Sequence, residues 1–303
     1  MAGSLLALLL ILCLKADAQF DVMLTQYMNN EMFINPAYTG TRRVLATTLS
    51  YRNQWVGIEG APVTETFSIH SPTGKKAGLG MSVLNESIGI SRRIGFNGNY
   101  SYRIKTGADG HLSFGLSGGL IQYHQNFNEL VLIDPNDHLF STSYPSVIAP
   151  NAGFGMFFYT NRFYLGFSIP RLIKNSMQSY GLQNSASPQS WHYYLTSAVV
   201  LNLSENFILK PSMMIKEVSG APLQAELAMH ALVGKVWWIG TSYRSGAAVT
   251  ATTGFQLSPQ MRIFYSYDYA LTKLQNYSSG SHEIVISYDF ARRVNRITSP
   301  RIF

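Results

Sequence analysis

The sequence predicts an all-β protein, a transmembrane antiparallel β-barrel of about fourteen strands. Three observations predict it. Aromatic and β-branched residues alternate with polar ones at a period of two over most of the chain. Charged residues are only 13% of a chain that is 46% hydrophobic, yet no stretch beyond residue 18 is long enough for a membrane-crossing helix. Short and long connections also follow one another in turn, as in outer-membrane barrels.

The alternation is plainest near the C-terminus. Ile284, Ile286, Tyr288 and Phe290 share one side of an extended segment, and Glu283, Ser287 and Asp289 share the other. Met261, Ile263, Tyr265, Tyr267 and Tyr269 alternate with Arg262, Ser266 and Asp268, and Phe96, Tyr100, Tyr102 and Ile104 alternate with Asn97, Asn99, Ser101, Arg103 and Lys105. A helix would scatter these polar residues around its axis, whereas a strand puts them on one side. A lipid-facing side and a lumen-facing side account for both the apolar content and the low charge.

Strands are expected near 44–54, 63–71, 77–86, 92–105, 110–126, 150–159 and 162–169, then near 190–202, 206–217, 224–233, 236–244, 248–257, 261–270 and 282–290. The connections 72–76, 106–109, 160–161, 203–205, 234–235 and 258–260 are tight and rich in turn residues. Those at 55–62, 127–149, 170–189 and 271–281 are long. With short turns facing the periplasm and long loops facing outward, both termini are expected in the periplasm. A soluble β-sandwich explains the strands but neither the loop asymmetry nor the low charge.

The segment before the first strand implies export. Leu5 to Leu14 is an apolar run followed by Lys15 and Ala16-Asp17-Ala18, the pattern of a signal peptide cut after Ala18. The division is then signal peptide 1–18, periplasmic N-terminal segment 19–43, barrel 44–290 and basic tail 291–303. Cys13 is the chain's only cysteine and leaves with the signal, so no disulfide is expected. The formal net charge of +7 and pI near 9.4 fit anionic lipid or an acidic partner. The cations are scattered, without the aromatic interleaving of a nucleic-acid surface.

Residues 19–41 are neither period-two nor cleanly helical, with Asn35-Pro36 and Gly40 as punctuation. Met28, Met32, Phe33, Ile34 and Tyr38 need somewhere to bury, either in the barrel mouth or on a partner. Gln26-Tyr27-Met28 followed by Asn35-Pro36-Ala37-Tyr38-Thr39-Gly40 resembles the opening signature of the PorP/SprF family. Arg52-Asn53-Gln54-Trp55-Val56-Gly57 and Gly60-Ala61-Pro62-Val63-Thr64 continue the resemblance. It returns at Lys210-Pro211-Ser212, Gly220-Ala221-Pro222, Ser266-Tyr267-Asp268-Tyr269 and Ser279-Gly280-Ser281-His282-Glu283-Ile284, and so spans essentially the mature chain. The tail from Arg292 to Phe303 extends past the last strand and leaves the terminal aromatic insertion signal open between Phe290 and Phe303.

The resemblance implies an outer-membrane component of the type IX secretion and gliding machinery of Bacteroidota, paired with periplasmic ring components or with a secreted adhesin or cargo protein. Gln26, Tyr27, Asn35, Pro36 and Tyr38 are the residues expected to meet a partner. Trp55, Gly57, Gly60, Pro62, Asp268, His282 and Glu283 are expected to be structural. A passive pore or hydrophobic-substrate transporter is the alternative.

Chemical motifs are sparse. Gly115-Leu116-Ser117-Gly118-Gly119 fits G-x-S-x-G, but that motif works on a strand-to-helix turn, and here it lies inside a strand where glycines serve bending or close packing. The histidines His70, His111, His124, His138, His192, His230 and His282 lack metal-ligand spacing and are expected in the lumen or loops. Asp134, Asn136 and Asp137 lack the later Gly and Glu of a calcium loop. Asp268, His282 and Glu283 are expected to form a hydrogen-bonded cluster fixing the last long loop. Trp55, Trp191, Trp237 and Trp238 are the aromatic-girdle candidates. Neither catalysis, cofactor nor metal is expected.

Overall fold

The computed structural model describes residues 22–126, 146–174, 191–218 and 221–290. Fifteen strand segments follow in chain order: β1 (Leu45–Asn53), β2 (Val63–Thr73), β3 (Ala77–Ile88), β4 (Ser91–Thr106), β5 (Gly110–Gln125), β6 (Val147–Tyr159), β7 (Phe163–Ile169) and β8 (His192–Val199). Then come β9 (Leu201–Ser204), β10 (Phe207–Val218), β11 (Gln224–Val233), β12 (Trp237–Arg244), β13 (Ala248–Gln256), β14 (Met261–Ala270) and β15 (Ser281–Phe290). β8 and β9 are one strand interrupted at Val200, since both pair with β10. Every pairing is antiparallel, β1 pairs with β15, and β10 pairs with β11, so fourteen staves close on themselves.

The side-chain distribution is inside-out relative to a water-soluble protein. Leu49, Leu79, Phe96, Leu116, Ile148, Leu227 and Ile239 are among the large apolar residues exposed on the outer surface. Thr48, Ser50, Arg52, Thr66, Ser68, Ser101, Lys210, Ser266 and Glu283 are buried on the inner one. An outer wall of this kind is stable against hydrocarbon, where closure leaves no unpaired sheet edge. No helix is long and apolar enough to cross a membrane among the described residues.

The expected strands are all present with small shifts. β6 begins at Val147, ahead of Pro150. Proline is tolerated there because the β6–β7 ladder runs only from Phe154 onward, so Pro150 lies outside it. The hairpin from β11 to β12 shows how a turn sets register. Gly234 and Lys235 both have positive φ (61° and 62°), the requirement of the two-residue turn that matches strand twist, and the Val236 amide donates to the Val233 carbonyl at 3.3 Å.

The N-terminal segment lies inside the barrel. From Val22 to Arg42 nearly every residue is buried. It forms short 3-10 turns at Tyr27–Asn29 and Pro36–Tyr38 around a single helical turn, α1 (Glu31–Ile34). The apolar residues find their burial on the inner wall. Val22, Leu24, Tyr27 and Ile34 pack with Leu84, Tyr194 and Met214. Met32, Ala37 and Tyr38 pack with Phe157, Tyr159, Tyr164 and Ala198. The segment is a lumen plug.

Candidate functional site

The plug and the wall it meets form the candidate site. At the long-loop end, β1, β14 and β15 bring Arg52, Asp268 and Glu283 together. Arg52 Nη2 stands 2.8 Å from Asp268 Oδ2, and Nη1 stands 3.2 Å from Glu283 Oε2. The plug closes this cluster: the Thr25 amide donates to Glu283 Oε2 at 2.7 Å and the Gln26 amide to Oε1 at 3.2 Å. Thr25 Oγ1 donates to Asp268 Oδ2 at 2.7 Å and also receives a short hydrogen bond from Arg52 Nη1. Gln26 Nε2 reaches Ser266 Oγ at 3.1 Å. Next to it, Arg244 pairs with Glu226 at 2.7 Å and lies 3.6 Å from Asp268. Arg52 and Glu283 are each 1% exposed. Such charges endure out of water when they are paired and hydrogen-bonded.

At the short-turn end, Asp289 Oδ2 accepts from Arg42 at 3.1 Å and from Arg262 at 3.2 Å. Arg42 ends the plug just before β1, so the segment is pinned at both ends. Between the pins, Asn30 Nδ2 donates to Thr66 Oγ1 at 3.1 Å and Asn30 Oδ1 accepts from Ser68 Oγ at 2.7 Å. Ser101 Oγ donates to the Thr39 carbonyl at 2.6 Å, and the Gly40 amide donates to His70 Nδ1 at 3.1 Å.

The turn at Asn35-Pro36-Ala37 lies on a bed of glycines. A Cβ on Gly115 would strike the Pro36–Ala37 backbone, one on Gly155 the Asn35 side chain, and one on Gly78 the Thr39 carbonyl. Asn35 uses the space fully. Its Nδ2 donates to the Met156 carbonyl at 3.0 Å, while Oδ1 accepts from the Ala37 amide at 3.0 Å and caps the following turn. This explains the G-x-S-x-G match: Gly115 admits the plug, and Ser117 sits mid-strand in β5 rather than on a strand-to-helix turn.

Glu31 on α1 is the plug's own ionisable group. Its Oε1 accepts from Thr196 Oγ1 at 2.7 Å. Burial raises its carboxyl to about 7, opposed by the Thr196 hydrogen bond and the nearby Lys210 ammonium.

The five residues expected to meet a partner, Gln26, Tyr27, Asn35, Pro36 and Tyr38, are all buried against the wall. In this arrangement they bind the chain's own barrel. The physical reason is their register with the glycine bed and the Arg52 cluster, neither of which a single segment's sequence displays. Of the expected triad, Asp268 and Glu283 do meet, but His282 does not join them. Adjacent strand residues face opposite sides, so His282 points outward, with Nδ1 2.6 Å from Tyr265 Oη and its ring centroid 5.2 Å from that of Tyr267. His124 also lies on the exposed side, near Ser146. The same rule divides the tryptophans. Trp237 is outward and exposed, whereas Trp238 is buried in the lumen, 5.6 Å from Phe264, and is no girdle residue.

Trp55, Gly57 and Gly60 adopt positive φ (47°, 101° and 72°) in the loop between β1 and β2, and Pro62 closes it by accepting from the Gln54 amide at 2.9 Å. That loop is stitched to the last long one: the Val56 amide donates to the Gly280 carbonyl at 2.8 Å and the Ser279 amide to the Val56 carbonyl at 2.7 Å. The signal peptide, His138, Asp134, Asn136, Asp137, Gly220 and the tail lie outside the described residues. No cluster of metal-ligand type occurs among the described residues. Sequence reasoning missed Arg42, Arg244, Glu226, Glu31 and the glycine bed. The polar face of each strand was a signal for the wall residues, but which of them meet depends on strand register.

The segments that resemble a family opening therefore meet in space, Gln26 beside Arg52, Asp268 and Glu283. A family model described as type IX secretion system membrane protein PorP/SprF matches residues 16–288. The chain belongs to the PorP/SprF family. It is an outer-membrane β-barrel of that family. Membership implies other type IX secretion components as partners. No curated protein matches the chain. Among solved structures, the Ralstonia pickettii toluene transporter TbuX is similar with a TM-score of 0.50 at 10% identity, over 90% of this chain and 94% of that one. The CymD monoaromatic hydrocarbon channel gives 0.49 at 12% identity, over 87% and 93%. A Pseudomonas aeruginosa FadL homologue gives 0.49 at 14%, over 85% and 93%. At 10% identity the likeness to TbuX speaks for the fold alone.

Proposed function

We propose that this PorP/SprF barrel is a plugged, non-catalytic docking element of the type IX secretion and gliding machinery. It holds partners at its two rims and conducts nothing through its lumen. The observation that carries this reading is the double pinning of the plug, at Glu283, Asp268 and Arg52 on one end and at Asp289 on the other. An open pore needs a clear lumen, whereas this one is filled by the chain's own buried segment. Export followed by membrane insertion places the short turns and the basic tail in the periplasm, beside ring components. The long loops then lie outside, where a secreted adhesin or cargo protein is met, and the outward aromatics Trp237, Tyr243, Tyr265 and Tyr269 sit against lipid.

In this reading Gln26, Tyr27, Asn35, Pro36 and Tyr38 lock the plug and thereby fix the shape of the rims a partner meets. The test is affinity isolation of the tagged full chain from outer membranes, together with conductance in planar bilayers. Co-purification of secretion components with no steady conductance supports docking. A steady open pore and no co-purifying component favours the transporter alternative and overturns the proposal.

A further inference from the structure

Inside the barrel, carboxylates pair repeatedly with guanidinium groups: Asp289 with Arg42 and Arg262, Glu86 with Arg93, and Glu226 with Arg244. The short-turn rim is different. The antiparallel order puts the tips of the β2–β3, β4–β5, β6–β7, β9–β10 and β11–β12 turns on one end of the barrel, with the entry to β1. This rim carries Arg43, Lys75, Lys76, Lys105, Arg162 and Lys235. The acids of these turns are Asp109 and Glu205, so the rim carries six cations against two anions. Lys75, Lys76, Lys105, Arg162 and Arg43 are exposed, and no ion pair engages them among the described residues.

The opposite end shows a smaller and less exposed excess. Its described loops carry Arg171, Lys174 and Lys273 against Glu59, but Arg171 is buried and Lys174 lies over the Trp191 ring at 4.4 Å. The chain also leaves β15 at Phe290 on the basic rim, and the thirteen residues that follow carry Arg292, Arg293, Arg296 and Arg301 with no acid. Cations concentrated on one closed ring around the lumen mouth raise the local potential and favour an anionic surface that covers the ring.

We infer that the short-turn rim is the docking face for a protein partner that presents an acidic surface. This rests on the docking reading above and names the chemistry of the partner on that side. A protein is favoured over lipid headgroups because these cations sit on turns and strand ends around the mouth, beyond the outward apolar bands of Leu79, Phe96, Leu116 and Ile239. Lipid headgroups would instead meet the side of the wall.

The test is carbodiimide cross-linking on outer membranes that contain the tagged full chain. The reagent activates a partner carboxylate, a lysine Nζ attacks it, an amide forms between the two chains, and the carbodiimide leaves as its urea. Peptide mapping is expected to find Lys75, Lys76 or Lys105 joined to Asp or Glu of another secretion component. A variant combining Lys75→Glu, Lys76→Glu, Lys105→Glu and Arg162→Glu, shown to be folded by heat-modifiable gel mobility, should recover that partner about tenfold less. The corresponding Lys→Arg variant should recover as much as wild type. Cross-links confined to Lys174 or Lys273, or full recovery by the reversal variant, overturn the inference while leaving docking intact. Loss of binding to phosphatidylglycerol vesicles with partner recovery unchanged overturns it in favour of lipid. A wild-type chain that recovers no secretion component at either end overturns the docking reading itself.

Discussion

Replacing Glu283 by Gln is the sharpest probe of the plug. The side chain keeps its volume but loses its charge, and one of its two acceptor oxygens becomes a donor. In the wild type those oxygens receive the Thr25 amide at 2.7 Å, the Gln26 amide at 3.2 Å and Arg52 Nη1 at 3.2 Å. Amides donating to a charged acceptor contribute about 1.5–3 kcal/mol each. The substitution turns at least one of them against an NH2 group, and it leaves Arg52 with Asp268 as its remaining carboxylate. Breaking one partner of a buried pair costs about 3–5 kcal/mol. Taking about 3 kcal/mol as the loss in plug docking, the undocked fraction rises roughly a hundredfold. Hydrogen exchange reads this directly, because amides of residues 22–34 exchange through plug release. The variant is expected to lose protection there while the strands β2–β6 keep theirs, and planar-bilayer recordings should show intermittent openings absent from wild type. Unchanged protection at Thr25 and Gln26, with a silent bilayer, would refute the claim that the carboxylate holds the plug.

Three further expectations follow from the same geometry. Gly115→Ala puts a Cβ into the Pro36–Ala37 backbone, so it should destabilise the docked plug by about 1–3 kcal/mol; limited proteolysis between residues 22 and 41 measures it, and wild-type resistance counts against the glycine bed. Glu31 has a folded-state pKa raised from 4.5 to about 7. A raised carboxyl pKa means the docked form binds the proton more tightly, so the contribution of Glu31 to plug docking should be fullest below pH 4.5 and be lost as pH rises through about 7. Glu31→Gln should flatten that exchange profile, and an unaltered slope assigns the effect to another group. Deleting residues 22–41 should leave a barrel with native heat-modifiable mobility but a conducting lumen, and a non-conducting deletion would show that something other than the plug closes it.

The strand inventory was legible because a period of two survives any arrangement of neighbours. Asp268 facing away from Tyr267 is a property of the pleat alone. Trp238 shows the limit of using composition in place of parity: its neighbour Trp237 faces lipid, so it must face inward. His282 and Glu283 are neighbours along the chain, and adjacency in a strand is what separates them. The plug was harder to read. Asn35-Pro36 announces a turn, but the positions of Gly78, Gly115 and Gly155 beneath it depend on the stagger of β3, β5 and β6. The Arg52–Glu283 pair joins residues 231 positions apart, and nothing local to either names the other.

By itself the sequence determined an antiparallel barrel with an apolar exterior and a polar lumen, because alternation and low charge are local properties that each strand carries alone. The tertiary structure alone decided that the N-terminal segment fills that lumen and which charges hold it there. Barrel closure and strand register bring together residues from opposite ends of the chain, and a buried ion pair is stable only in the one register where both partners and their hydrogen bonds coincide.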